Sequence, residues 1–315
     1  MRNGAVAPLA EELVRIPGVK LKINEPLSRH TSMKVGGPAD FFMEIQTSSA
    51  LSRALRLLNQ HRTPFCLLGK GSNVLVSDRG IRGAVLRLGG DFLRAEWQVQ
   101  DSELSLIVGA AYPVARLVRQ AVRQGFSGLE FAEGIPASVG GAIVMNAGAY
   151  GSEMEKVVAQ VEGLTAKGEE RVFARADLSF SYRSAHLPID FIVTRVRFVL
   201  SKGIAADMQQ NMRELLRKRK LSQPAGLPNS GSMFRNPPGD YAGRLIEAAG
   251  LKGRRIGRAE ISTRHANFIV NLGSASAKDV KTLMDQARAE VQKKFGVELM
   301  PEVRLLGDWP RSVGF

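Results

Sequence analysis

The stretch Leu67–Asp78, "LLGKGSNVLVSD", decides how this chain is read. A glycine, a lysine, a second glycine and a serine follow an apolar run, the composition of a loop that holds phosphate. What surrounds it excludes two familiar phosphate loops. A Walker loop needs a glycine where Pro64 stands, Ser or Thr after the lysine where Gly71 stands, and then a helix; "NVLVSD" is strand-like instead. A Rossmann loop also enters a helix. Strand, glycine turn, strand is what remains. Consecutive backbone N–H groups in such a turn form an anion nest without a helix dipole, and an ordinary tight turn reads the same way.

A second loop lies about sixty residues on: Glu133–Gly151, "EGIPASVGGAIVMNAGAYG". It is dense in glycine and alanine, and small residues let a backbone approach a ligand closely. Two such loops point to one extended ligand across both, and a dinucleotide such as FAD has the length. Packing of a buried small-residue helix is the alternative reading.

Around the loops, apolar spacing predicts the framework. Leu51, Ala54, Leu55 and Leu58 form one face of a helix over 48–62. Phe65–Leu68, Val74–Val76, Ala84–Leu88 and Leu104–Val108 read as strands between glycines. Pro113 opens a helix with the face Val114, Leu117, Val118, Ala121 and Val122, closed by Gly125. Further strands are expected at Val157–Leu164, Arg171–Phe173 and Phe191–Leu200. Beyond Ser201 come a helix carrying Met208, Met212, Leu215 and Leu216, a Pro- and Gly-rich loop, a helix over 240–249 and a strand over 266–271. A helix over 276–294 begins with the capping-box sequence "SAKD", and a last strand covers 297–306. Strands and helices mix without a regular βαβ repeat, so the fold class is α+β. A domain boundary is expected near 205.

The 315 residues carry a net charge of +14, clustered in "RELLRKRK" (213–220) and "KGRRIGR" (252–258). Such a surplus favours anionic partners, nucleic acid or phosphorylated small molecules among them. No nucleic-acid motif and no interleaved aromatic–basic pattern accompanies it, so no nucleic-acid role is expected. The longest apolar run, 135–148, is too short and glycine-rich to span a bilayer, so no membrane association is expected. No signal segment is evident at the start. The one cysteine, Cys66, excludes an internal disulfide framework, fits a reducing cytoplasm and reads as a structural thiol. The four histidines lack ligand spacing, so no metal site is expected. No G-x-S-x-G element supports a Ser-His hydrolase. Three polar residues stand in sharper contexts: Arg183 in "FSYRSAHL", Ser232 in "NSGSMFRNPPG" and Glu302 in "PEVRLLG". Each alone also reads as a surface ion-pair residue, a turn serine or a strand-edge carboxylate.

Seven segments in order resemble the UDP-N-acetylenolpyruvoylglucosamine reductase family: "NEPLSRHTSMKVGGPADFF", "LLGKGSNVLVSD", "GLEFAEGIPASVGGAIVMNAGAYG", "YR", "GSMFRNP", "RIGRAEISTRHANFIVN" and "PEVRLLG". The match runs from about Asn24 to Gly307. Any one segment is weak, and all seven in order are specific. The resemblance implies an FAD-binding domain of the vanillyl-alcohol oxidase type over 1–205, with subdomains of roughly 22–68 and 69–205, and a smaller α+β substrate domain over 206–315.

The resemblance further implies a cytoplasmic, monomeric enzyme of peptidoglycan synthesis. NADPH reduces FAD, and the flavin N5 then delivers hydride to C3 of an enolpyruvyl UDP-sugar while a proton is added at C2. Non-covalent FAD is implied at Gly69, Lys70, Gly71, Ser72 and Asn73 of the first loop. In the second loop it is implied at Gly134, Ile135, Pro136, Ser138, Val139, Gly140 and Gly141, then at Ala147, Gly148 and Ala149. Arg183 would stabilise the developing enolate, Ser232 would protonate C2, and Glu302 would act with the arginine on the carboxylate. Tyr182, Arg219, Gln223, Asn236 and His265 would contact substrate. The chain departs from the family pattern at Ala137 and Ser138, where Gly-Thr is common, and at Arg235, where lysine is. It has no tyrosine between Arg183 and Ser232, as in the shorter family type that lacks a substrate-clamping loop.

Overall fold

Apolar periodicity and caps account for the main helices. Helix α2 (Ser48–Gln60) starts where the Thr47 hydroxyl accepts the Ala50 N–H at 3.1 Å, and it buries Ala50, Leu51, Ala54, Leu55 and Leu58. Helix α3 (Val114–Arg123) follows Pro113, buries the expected five residues, and stops before Gly125 at φ +80°. Helix α7 (Ala277–Phe295) has the expected capping box between Ser276 and Asp279 and ends at left-handed Gly296. The computed structural model describes residues 3–100 and 103–309.

The remaining elements of the first half are α1 (Asn3–Val14), β1 (Val19–Pro26), β2 (Pro38–Ile45), β3 (Phe65–Leu67), β4 (Val74–Val76), β5 (Ile81–Leu88), β6 (Ala95–Gln100), β7 (Glu103–Gly109), β8 (Phe126–Ser127) and α4 (Val139–Val144). Then come β9 (Gly148–Ala149), β10 (Ser152–Glu153), β11 (Val158–Thr165), β12 (Glu170–Ala174), β13 (Phe191–Lys202) and α5 (Ala205–Ser222). The last are β14 (Asn229–Ser232), α6 (Ala242–Ala248), β15 (Arg255–Ile256), β16 (Ala259–Ile261), β17 (Phe268–Asn271) and β18 (Arg304–Leu306).

The chain forms two compact units that are not contiguous in sequence. One comprises residues 1–23, 41–69 and 83–218; the other comprises 24–40, 70–82 and 219–315. The first holds a sheet of order β1-β2-β5-β3 and an antiparallel sheet of order β12-β11-β13-β7-β6. Two apolar cores stabilise it. One joins Leu9 and Leu13 of α1 to the buried face of α2 and to Phe41, Met43 and Ile45. The other packs α3 and α4 against Leu104, Leu106, Val108, Val196 and Phe198. The second unit holds a sheet of order β14-β17-β16-β15, with Val280, Leu283, Met284, Ala287 and Val291 of α7 in its core.

This division differs from the expected break near 205. Most of α5 groups with the first unit, where the Tyr150 hydroxyl donates to Leu215 O at 3.2 Å. Segment 70–82 groups with the second unit because β4 pairs in parallel with β18, Val74 opposite Arg304 and Val76 opposite Leu306. The last strand is also shorter than expected. Pro301 lacks an N–H, and its neighbours bond irregularly: Arg235 N–H donates to Met300 O and Glu302 N–H to Met233 O, both at 2.9 Å. The strand expected from 266 starts at Phe268, because Phe268 N–H closes a turn on His265 O at 2.9 Å.

Asp78, the last residue of the opening stretch, accepts N–H bonds from Ala277 at 2.8 Å and Lys278 at 2.9 Å, in the first turn of α7. A carboxylate there satisfies two orphan donors and complements the helix dipole. Asp78→Ala is expected to destabilise this unit by about 1–2 kcal/mol. The readout is the urea midpoint followed by Trp309, whose indole N–H donates to Leu306 O.

Candidate active site

The first loop is the strand–turn–strand read from sequence, and the turn carries the chain from one unit to the other. Gly71 lies at φ +66°, and a Cβ there would stand 2.2 Å from His30 O. Only glycine fits. Its carbonyl accepts the Ser32 N–H at 3.0 Å, and the Ser32 hydroxyl donates to Asn229 O at 2.6 Å. Asn73 faces the C-terminal strand: its side-chain N–H donates to Glu302 O at 3.2 Å, and its carbonyl accepts Arg304 N–H at 3.0 Å. Lys70 is exposed and Ser72 half-buried.

In the second loop, Gly134 at φ +79° leads into α4. The Val139 and Gly140 N–H groups are already given to Tyr112 O at 2.9 Å and Ala110 O at 2.8 Å, so these two amides anchor the helix. A Cβ on Gly140 would meet Ala110 Cβ at 2.9 Å, so this glycine serves close packing. Ser138 is different. Its side chain makes no capping bond to α4. A Cβ on Gly69 would stand 2.6 Å from its Oγ, and one on Gly141 3.3 Å from it. Two glycines therefore keep open the space around one hydroxyl, which fits a dinucleotide lying along backbone. Glu133, beside Gly134, is fully buried and receives Arg119 Nη2 at 2.8 Å. Ile135, Pro136, Ala147, Gly148 and Ala149 lie at the loop surface, partly or fully accessible.

Past α4 the chain turns on Asn146, which is fully buried at φ +40°. Its side chain donates to Ser181 O at 3.2 Å and accepts Glu155 N–H at 3.0 Å. The turn bearing Tyr182 and Arg183 is thereby tied to the second loop. Arg183 is at φ +61°, with its guanidinium 4.8 Å from the Tyr182 ring centroid. Sequence reading singled out Arg183 and missed Asn146; its placement inside a small-residue run was the available signal.

In the second unit, Ser232 ends β14 opposite Phe268 of β17. The next residue, Met233, accepts Glu302 N–H, so the backbones of Ser232 and Glu302 are held side by side. Both residues are half-buried. Buried Asn267 fixes this arrangement: its carbonyl accepts Met233 N–H at 2.8 Å, and its side chain exchanges bonds with Phe234 N–H at 3.0 Å and Phe234 O at 2.8 Å. Sequence reading missed Asn267 as well.

His265 leans on the Phe268 ring, centroids 4.9 Å apart. Burial first, and then the Lys252 charge, push its pKa below the ordinary histidine value. Asn267 N–H donates to its Nδ1 at 3.2 Å, so the proton of the neutral ring sits on Nε2. The Asn236 side chain accepts Ala242 N–H at 3.1 Å and so opens α6. Arg219 lies in the last turn of α5, and its carbonyl accepts Gln223 N–H at 2.9 Å. Burial pushes the Cys66 thiol up to about 11, which keeps it protonated and unreactive at neutral pH. Among the described residues, no group of three or more His, Cys, Asp or Glu is placed to hold a metal ion, and no helix is long and apolar enough to cross a membrane.

Residues 39–173 match the model of an FAD binding domain, and residues 223–306 that of the UDP-N-acetylenolpyruvoylglucosamine reductase C-terminal domain. The α+β fold class, an FAD-binding domain with a smaller C-terminal domain, agrees with both. UDP-N-acetylenolpyruvoylglucosamine reductase 2 of Symbiobacterium thermophilum is 46% identical over 309 residues, 97% of this chain and 99% of its own. The reductase of Heliobacterium modesticaldum is 46% identical over 90% of each chain. The crystal structure of UDP-N-acetylenolpyruvylglucosamine reductase from Thermus caldophilus superposes with a TM-score of 0.78 at 40% identity, covering 93% of this chain and 99% of that one. With two glycine loops around an open hydroxyl and relatives matched over nearly their whole length, the chain belongs to the UDP-N-acetylenolpyruvoylglucosamine reductase family.

Proposed function

We propose that Arg183, Ser232 and Glu302 carry the sugar-nucleotide half of the reaction. The chain is a flavoenzyme of peptidoglycan synthesis that reduces the enolpyruvyl group of UDP-N-acetylglucosamine enolpyruvate to UDP-N-acetylmuramate. FAD, when bound, would supply the hydride taken from NADPH, with C3 of the enol ether the proposed acceptor. The proposal places FAD along Gly69–Asn73 and Gly134–Ala149. It also takes the enzyme to be a cytoplasmic monomer with small-molecule substrates.

The observation that carries the reading is the Met233 carbonyl holding Glu302 N–H, next to Ser232. It puts a hydroxyl donor and a carboxylate on adjoining backbone. Hydride arrival at C3 makes C2 nucleophilic and spreads negative charge into the substrate carboxylate. The Arg183 guanidinium, steadied by the Tyr182 ring, neutralises that charge with paired N–H donors. Ser232 gives its hydroxyl proton to C2 and recovers one from solvent. A serine is a weak acid, so the transfer requires a strongly basic C2, which the enolate supplies. Glu302 is proposed to act with the arginine on the substrate carboxylate. Tyr182, Arg219, Gln223, Asn236 and the Nε2–H of His265 are proposed to hold the UDP-sugar.

The basic surplus suits this ligand's phosphates. Part of it is already committed within the protein: Lys218 pairs with Glu214, Lys252 with Glu247 and Arg255 with Glu260.

The test separates the half-reactions: anaerobic reduction by NADPH, then mixing with the enolpyruvyl sugar nucleotide. Ser232→Ala is expected to reduce normally and to reoxidise about 10²–10⁴-fold more slowly. Arg183→Ala is expected to lose about 10²–10³-fold in reoxidation. Equal loss in both halves would make either residue structural. For the cofactor, Ser138→Ala is expected to weaken FAD binding about tenfold with the fold intact, as read by titrating apoprotein against flavin fluorescence.

A further inference from the structure

The segment Ser181–His186 holds two of the chain's strained positions, Arg183 at φ +61° and His186 at φ +44°. A left-handed conformation at a non-glycine residue is unfavourable and persists only where its surroundings enforce it. Backbone bonds close the turn: Ser181 N–H donates to Ser184 O at 2.9 Å, and Ser184 N–H to Ser181 O at 3.0 Å. Ala185 N–H reaches Val144 O at 3.3 Å, at the end of α4. One side chain clasps the turn from outside. His186 folds back so that its Nε2 lies 2.7 Å from the Ser181 hydroxyl, while its N–H donates to the Ser184 hydroxyl at 3.2 Å.

We propose that His186, through its bond to Ser181, is a positioning residue for Arg183. The proposal rests on the role given to Arg183 above. His186 bridges the two ends of a four-residue turn whose third residue bears the guanidinium, by its ring at Ser181 and its backbone N–H at Ser184, and the ring contact limits how far that turn twists. Losing the bridge leaves the anchors from Asn146 and Ala185 in place. The turn stays folded but its tip gains freedom, and a guanidinium that must meet a carboxylate with paired donors is sensitive to that freedom.

The experiment uses the FAD-loaded full chain. His186→Phe keeps a ring without the nitrogens, Ser181→Ala removes the partner, and His186→Gln restores a polar atom at the same reach. Flavin reduction by NADPH is expected within about twofold of the parent in all three, while reoxidation by the enolpyruvyl sugar nucleotide slows about tenfold in His186→Phe and Ser181→Ala. Their double variant should be no slower than the worse single, and His186→Gln should recover most of the rate. Hydrogen exchange at the Ser184 N–H should quicken in His186→Phe. Parent-like reoxidation in His186→Phe, additive losses in the double variant, or equal slowing of both half-reactions would overturn the proposal. Arg183→Ala, run alongside, separates two failures. If it reoxidises normally, the role of Arg183 falls and this proposal with it. If it is slow while His186→Phe is fast, only the link from His186 to Arg183 falls.

Discussion

The second unit depends on one short segment being held by chain far along the sequence, 156 residues away or more. Asn73 bonds to Glu302 and Arg304, β4 lies in parallel beside β18, and Asp78 seats the first turn of α7. The Ser230 hydroxyl adds a bond to Val74 O at 3.0 Å. Because these contacts run in series along residues 73–78, the glycine turn before them is not a free loop. Its last residue, Asn73, is bonded to the segment that carries Glu302 into β18.

Each residue proposed to do chemistry stands beside an asparagine side chain that settles its backbone, buried at Asn146 and Asn267 and half-buried at Asn73. Asn146 holds the turn of Arg183, Asn267 holds the strand end of Ser232, and Asn73 holds Glu302. A buried asparagine that satisfies donors and acceptors on two segments fixes their separation more sharply than apolar contact does, because an unmade bond there is costly. This division of labour lets exposed or half-buried functional groups, such as Tyr182 and Ser232, sit on a rigid frame.

Much of the frame was legible in the sequence. The faces of α2, α3 and α7 follow the helical period, and the capping box at Ser276 and the stop at Gly125 mark their own ends. The first loop was legible as strand–turn–strand because Gly71 and "NVLVSD" forbid a helix. What stayed hidden is non-local. Nothing in Val74–Val76 shows that it pairs with Arg304–Leu306, so a contiguous boundary near 205 looked natural. Strand β1 was overlooked although Val19, Leu21 and Ile23 alternate with Lys20, Lys22 and Asn24; most of the strand is accessible, so the alternation marks no deeply buried face. The strand over 297–306 was overextended because Pro301 interrupts its ladder. At the site, Arg183, Ser232 and Glu302 were picked out individually, yet only the folded chain brings Ser232 beside Glu302. Of the supporting asparagines that went unread, Asn267 carries no local signature and Asn146 only its place inside a small-residue run.

The most direct test of this account is Asn73→Leu, which removes the bond to Glu302 O while keeping the branched side-chain skeleton. Anaerobic stopped-flow absorbance would follow flavin reduction by NADPH and then reoxidation by the enolpyruvyl sugar nucleotide. With FAD held at saturation, the account predicts that reduction is near normal and that reoxidation slows about tenfold. Reoxidation at the parent rate, or equal slowing of both half-reactions, would contradict it.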